Sequence, residues 1–201
     1  MTNISRRALQ SAESMAGVGM HAVASHRLAI EHWLLSAHRT AGQARHEWAV
    51  HGIALLPLGG TFSAVRIPGR LVQALAGGTD PEDIDAVLDE TLEGGPVICD
   101  AHGPRYYALV PAAVPRTWHQ ATDDWRVHDV DCLGRGAYLG VPRLDFVQYT
   151  IGAASYWSVP PTAPAALCGP LAVARLIAAG VHQLTEDRDP WPLNAPLSPR
   201  A

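Results

Sequence analysis

The chain has no lysine: all 15 basic side chains among its 201 residues are arginine. That absence excludes chemistries built on a primary amine. A Walker-type phosphate loop needs its lysine on the nucleotide phosphates, and a Schiff-base enzyme attacks through a lysine amine. The strand lysine of protein kinases and the serine–lysine pair of β-lactamases fall by the same test. Asparagine is nearly missing as well (Asn3 and Asn194), while alanine, glycine, proline and arginine abound. GC-rich coding would give that pattern without selection on function.

Other absences narrow the class further. No stretch approaches the about 20 consecutive apolar residues of a membrane span, so no membrane partner is expected. Cys99, Cys132 and Cys168 are odd in number and show no C-x-x-C spacing, which suits reduced thiols in a cytoplasmic protein. Cys168 precedes an expected helix start, where a thiolate is favoured, yet free cysteine is among the most buried residue types and is expected inside. Ser5-Arg6-Arg7 resembles the start of a twin-arginine export signal, and Ala22-Val23-Ala24 a small-residue cleavage site. Glu13, Ser14 and His21 interrupt the apolar run that export requires, so no export is expected. No G-x-S-x-G elbow is present, which removes the usual hydrolase nucleophile.

With 48% hydrophobic and 17% charged residues, the composition is that of a globular protein. A chain of this length buries about 70% of its unfolded surface and needs no disulfide or metal for stability. The net charge of −4 opposes coating nucleic acid by electrostatics alone, but leaves room for a local arginine-lined groove.

Residues 1–24 are weakly periodic and read as a loose helix or a disordered arm. Leu28, Trp33, Leu34, Ala37, Ala41, Ala44 and Trp48 recur at helical spacing after a capping Ser25, with Gly42 a possible break and Gly52 the stop. Two strands follow, Ile53 to Leu56 and Ser63 to Ile67, each closed by proline. A short helix is expected over 69–76 and another after Asp80-Pro81, an N-cap followed by proline at the first helical position. Val97 to Cys99 and Tyr106 to Val110 flank the turn His102-Gly103-Pro104. Val127 to Asp131 and Ala137 to Val141 read as a hairpin joined by Gly134-Arg135-Gly136, followed by a strand Tyr156 to Val159. Pro170 to Ala179 reads as the last helix, with Gly180 as its stop and an irregular proline-rich tail beyond. The order predicts an α+β fold: a helical or partly disordered extension over 1–42, a domain over 43–182 and a tail over 183–201.

Two constellations invite chemistry. His46-Glu47-Trp48-Ala49-Val50-His51 imitates a zinc-protease motif, but its histidines are five residues apart, about 140° around a helix, where four are needed. The second group is Asp100, His102, His128, Asp129 and Asp131. Period two places Asp129 and Asp131 on one face of the expected strand, and carboxylates converging with His102 would suit Mg²⁺, Mn²⁺ or zinc. The plainer reading puts His102 in a turn and lets the two aspartates solvate a strand edge.

The segment Ala44 to Leu58, an alanine-rich helix ending at glycine and running into a strand closed by Pro57, resembles the opening of bifunctional primase–polymerase (Prim-Pol) domains. Val130-Asp131-Cys132-Leu133-Gly134-Arg135-Gly136-Ala137-Tyr138-Leu139-Gly140-Val141-Pro142 resembles that family's acid–glycine–hairpin–proline stretch, and Ser155-Tyr156-Trp157 its next aromatic strand. Gly103 to Val110 is similar to its Gly-Gly-x-His strand. The likeness spans about residues 43–180 and is shared with small, reduced Prim-Pol-like proteins of high-GC bacteria. It implies an archaeo-eukaryotic primase fold, an RRM-like and mostly antiparallel sheet flanked by helices. It also implies a metal site of an Asp-x-Asp pair, a histidine and a third acid, since two-metal transfer needs several carboxylates. Only the third acid maps cleanly, onto Asp131. Tyr106 stands where the histidine belongs, and no acid lies between Trp48 and Thr79 to supply the first pair.

The resemblance therefore implies a catalytically reduced domain, acting as a nucleic-acid-binding or replication-accessory module with no cofactor expected. Single-stranded DNA, or a protein of replication or of a mobile element, is the expected partner. Arg105, Arg126, Arg135 and Arg143 are candidate phosphate contacts, and Tyr106, Tyr107, Tyr138 and Trp157 candidate stacking faces. Those aromatics serve equally well as sheet packing. Two alternatives stand. One is an active nucleotidyltransferase with catalytic Asp131 and Asp129 and with Mg²⁺ or Mn²⁺ on Asp100, His102, Asp129 and Asp131. The other is a protein-interaction domain without a nucleic-acid role.

Overall fold

A computed structural model describes residues 23–186. The readings of the export-like start over 1–22 and of the tail from Asp187 lie outside the described residues. A helix over 23–35 (α1) leads through a turn into α2, Ala41–His51. The break thus falls before Gly42, which sits in the first turn of α2. Gly52 ends α2 in the left-handed region at φ 72°, donating its N–H to the Trp48 carbonyl, a conformation glycine adopts without the steric cost of a Cβ.

Seven strands follow: β1 Ile53–Pro57, β2 Phe62–Pro68, β3 Val97–Asp100, β4 Arg105–Pro111, β5 Asp131–Leu133, β6 Tyr138–Pro142 and β7 Ser155–Val159. They form a five-stranded sheet in the order β5-β2-β4-β3-β7 and a separate β1-β6 ribbon, with every pairing antiparallel. The helices between them are α3 Gly69–Ala76, α4 Pro81–Thr91, α5 Val114–Thr117 and α6 His119–Trp125, and α7, Pro170–Glu186, follows the last strand. The protein is thus α+β with mostly antiparallel sheets. Among the described residues no helix is long and apolar enough to cross a membrane.

Alternation along the strands sends side chains into two cores. Val65, Ile67, Tyr106, Ala108 and Val110 face one side, where Leu71 and Val72 of α3, Ile84 and Leu88 of α4, and Val173, Leu176 and Ile177 of α7 cover them. Phe62, Ala64, Leu109, Ile98 and Trp157 face the other, under Leu34 and Leu35 of α1, Trp48 of α2, and the inner residues of the ribbon. The α1 segment is therefore built into the second core. Two indoles fasten the ribbon: Trp48 Nε1 donates to the Val141 carbonyl at 2.8 Å and Trp157 Nε1 to the Pro142 carbonyl at 3.1 Å. The start of α4 is the one its sequence specified, with Asp80 accepting from the Glu82 N–H at 2.9 Å.

Three expectations need correction. Val127 to Asp131 is not a strand. Helix α6 runs into a 3-10 turn, Arg126–His128, and Asp129 then reverses the chain at φ 60°, a left-handed conformation that aspartate tolerates better than most residues. Nor do the segments around Gly134-Arg135-Gly136 pair with each other: β5 joins β2 and β6 joins β1. Finally, Gly180 does not stop the last helix, which continues to Glu186 with Gly180 buried against α3. Helices α5 and α6 were missed, although Val114, Trp118, Ala121 and Trp125 recur at helical spacing and pack on the first core.

Candidate functional site

The sheet brings one polar row together on the side that carries the second core. Arg66 is the single charge in the apolar strand β2, and its position pairs with Asp131 of β5 on one flank and Tyr107 of β4 on the other. A guanidinium half-buried among strands needs an acceptor, and Arg66 finds it in the Asp131 carboxylate through a charge-assisted hydrogen bond. At the end of the sheet Arg105 pairs with Asp100, and Ser155 lies beyond Asp100 in β7. Burial raises the Tyr107 phenol above its usual range; Asp100 raises it further, while Arg105 and Arg66 oppose the shift. Tyr107 thus sits in the field of two guanidinium groups and one carboxylate.

The candidate metal ligands do not converge. Asp131 is held by Arg66 on one side of the sheet. Asp129 is held at 2.6 Å by Arg70, which belongs to α3 on the opposite side. Asp100 closes a local turn by accepting the His102 backbone N–H at 3.1 Å. Among the described residues no group of three or more His, Cys, Asp or Glu side chains stands close enough to share an ion. Each aspartate of the expected pair already has a cation beside it, and a metal would have to displace that guanidinium. The positions of Arg66 and Arg70 were not foreseen, though a lone arginine inside an apolar strand is itself a request for a buried acid.

The other candidates separate by burial. Tyr106, 4% exposed, and Trp157, 0% exposed, are core residues whose ring faces are closed to a ligand, which corrects their reading as stacking platforms. Tyr138 is exposed on the outer side of the ribbon, far in register from Tyr107, and does not join the row. Arg126 pairs with Asp123 on α6, and Arg135 packs its backbone against Gly59. Arg143 is engaged by Asp145 at 3.0 and 2.5 Å and lies 5.7 Å from the centre of the Phe146 ring. Of the eight nucleic-acid candidates, Arg105 and Tyr107 share one surface.

Behind the opposite side of the sheet lies a second polar group that no motif announced. Asp85 of α4 accepts from the Tyr156 hydroxyl at 3.1 Å and from the Ser158 hydroxyl, both on its Oδ1 atom. Burial pushes the Asp85 carboxyl up to about 6, the two hydroxyl donors pulling against that shift and Glu82 adding to it. The Cys99 thiol nearby is pushed up to about 11 by burial, and Cys168, also buried, to about 12. These are inert thiols. Because the folded carboxyl binds its proton more tightly than the unfolded one, stability falls as pH rises from about 4 to about 6 and then levels. Asp85→Asn keeps an acceptor for both hydroxyls and removes that fall. At pH 7 it should be more stable than the parent by about 1 kcal/mol, the effect being reduced by water around a half-exposed group. Urea unfolding of both proteins at pH 4, 5, 6 and 7 checks this. A variant equally destabilised at every pH would show that the hydroxyls outweigh burial.

No protein-family model, curated protein or solved structure matches this chain.

Proposed function

We propose that the protein is a binding module rather than a polymerase: a reduced Prim-Pol-like domain with an RRM-like sheet that takes single-stranded nucleic acid beside a replication or mobile-element protein. The observation that carries this reading is Tyr107, half-buried on the sheet with Arg66 at its register position and Arg105 two residues before it. A ring flanked by guanidinium groups is the arrangement on which a base stacks while its phosphates meet positive charge. The surface is small and partly neutralised, since Arg66 is tied to Asp131 and Arg105 stands opposite Asp100. Binding is therefore expected to be weak and strongly dependent on salt. With two phosphate contacts, log K should fall against log salt with a slope of about −1.4.

Fluorescence anisotropy of a labelled oligo-dT strand tests the reading. Tyr107→Ala should weaken binding about tenfold, the lower range for loss of one stacked base. Arg105→Ala should make the salt slope shallower by about 0.7. Absence of binding at low salt, or affinity indifferent to both substitutions, would sink it. Metal-dependent primer extension abolished by Asp131→Ala would restore the polymerase reading instead. A protein partner is favoured by one different feature, the outer side of the β1-β6 ribbon, where Leu55 is 54% and Tyr138 60% exposed.

A further inference from the structure

Beside Tyr107 the sheet carries a second polar row on the same face: Arg105 of β4, Asp100 of β3 and Ser155 of β7. Ile98 stands opposite Tyr107, so Asp100, two residues further along β3, is the diagonal neighbour of the ring. Diagonal neighbours on one face lie within reach of an aromatic side chain. Burial raises the Tyr107 phenol first and the Asp100 carboxylate next, so the ring and the acid share one field. A ring, a guanidinium and a partly exposed carboxylate thus mark the corners of one small patch.

Within this row Asp100 and Ser155 form an incomplete pair. The Ala101 N–H donates to the Ala154 carbonyl at 3.1 Å, so Asp100 and Ser155, one step along, face each other without mutual backbone bonds. Side chains stand closest in pairs of that kind. Ser155 is 9% exposed, and its Oγ, withdrawn from water, makes no hydrogen bond among the described residues. A buried hydroxyl left unsatisfied is costly and uncommon. The Asp100 carboxylate is lightly used as well. Among the described residues its Oδ1 accepts the His102 N–H at 3.1 Å and its Oδ2 accepts nothing. An ionised carboxylate offers about four acceptor positions. With His102 on one oxygen and the Ser155 hydroxyl on the other, one position on each oxygen stays open.

Two adjacent acceptors select among the bases. Guanine presents N1–H and the N2 amino group side by side on its pairing edge. Adenine and cytosine each present one amino group beside an acceptor nitrogen, and thymine one N–H between two carbonyls. Each of those three sets a lone pair against the carboxylate. We infer that the patch prefers guanine, which stacks on Tyr107 while its pairing edge donates to both oxygens of Asp100. The Ser155 hydroxyl meets Asp100 from the buried side and is a positioning group that does not touch the base. Arg105 stays available to phosphate. This preference rests on Tyr107 being a stacking face for single strands.

Short dT strands carrying one central dG, dI or dA, and the same strand with dT alone, are compared on the full chain by fluorescence anisotropy at low salt. The dG strand should bind about tenfold tighter than the dA strand, toward the lower end for a bidentate base contact. Adenine is the control for purine stacking. The dI strand, which keeps N1–H and lacks the amino group, should fall between them. Asp100→Asn keeps an acceptor for the His102 N–H and should bring dG down to the level of dA. It should leave the all-dT strand bound as tightly or tighter, because a negative charge is removed. Ser155→Ala should narrow the dG-over-dA ratio about threefold, a part of one hydrogen bond, with all-dT binding unchanged. A merely structural effect would not split the two. Equal affinity for the dG and dA strands, or a preference untouched by either substitution, would overturn the guanine assignment while all-dT binding and its loss in Tyr107→Ala remain. If no strand binds, or Tyr107→Ala leaves all-dT binding intact, the stacking face falls and the guanine preference with it.

Discussion

Trp157→Ala should lower the unfolding free energy by about 3–5 kcal/mol, the range for deleting a large aromatic from a packed core. Trp157 is fully buried, pairs with Ile98 across β7 and β3, and packs in the core between the five-stranded sheet and the ribbon. Its indole also donates to the Pro142 carbonyl, so the substitution leaves a buried acceptor unpaired as well as a cavity. Strand β6 has backbone pairing only with β1 among the described residues, and β1 belongs to the same ribbon. The ribbon therefore depends on side chains for its attachment, with Trp48 as the second tie. A domain with about 5–15 kcal/mol to lose is brought near its threshold by this one change. Urea titration measures the loss, and hydrogen exchange locates it: amides of Ala54 and Leu56 should lose protection before those of Val65 and Ala108. Trp157→Phe, which keeps a ring and removes the N–H, should cost far less, about 1–2 kcal/mol. A loss under about 1 kcal/mol for Trp157→Ala would mean that neither the packing nor the hydrogen bond of Trp157 holds the ribbon.

The elements whose boundaries were legible are those closed by local chemistry. Proline and glycine bracket β1 and β2, and the Asp80-Pro81 cap fixes α4, because these residues act on their own backbone. Pairing was less legible, because it is decided by distant surfaces. Gly134-Arg135-Gly136 looked like a hairpin turn, yet Gly134 serves close approach, while Gly136 turns the chain at φ 93°. A Cβ at Gly134 would come within 2.8 Å of Pro115, and one at Gly59 within 2.4 Å of the Arg135 backbone nitrogen. Those contacts draw the chain from one sheet to the other and cancel the rule that short loops join neighbours. The same limit governed the site. Asp131 could be singled out as an acid, but its partner Arg66 lies 65 residues away and meets it only through strand pairing. Asp129 lost its assumed place beside Asp131 once the turn at Arg126–His128 replaced the strand. The Asp85 group left no motif because α4 and β7 each supply part of it.

Gly180 is the position where a sequence rule and the packing disagree most sharply, and substitution there separates them. As a left-handed helix stop, glycine would resist alanine by about 1 kcal/mol. Gly180 is not among the glycines of positive φ, however, and in a helix interior alanine is favoured by about 1 kcal/mol. Helix α7, however, passes through Gly180 and rests on α3, where an added Cβ would lie 2.6 Å from the Leu71 carbonyl oxygen and 3.1 Å from its carbon. Those are backbone atoms of a buried residue and cannot swing aside. To admit the methyl group, α7 must move off α3 and loosen Val173, Leu176 and Ile177 against the first core. Gly180→Val should therefore cost about 3 kcal/mol, the upper range for overpacking a core. Gly180→Ala should be destabilising too, by less, despite its better helix propensity. Gly42→Ala supplies the contrast, because Gly42 lies in α2 with nothing within 4 Å of an added Cβ. That variant should be neutral or gain up to about 1 kcal/mol. Thermal and urea unfolding of the three variants decides the matter. If Gly180→Ala gains stability as Gly42→Ala does, α7 yields to the methyl group and the close contact with Leu71 is not what selects glycine there.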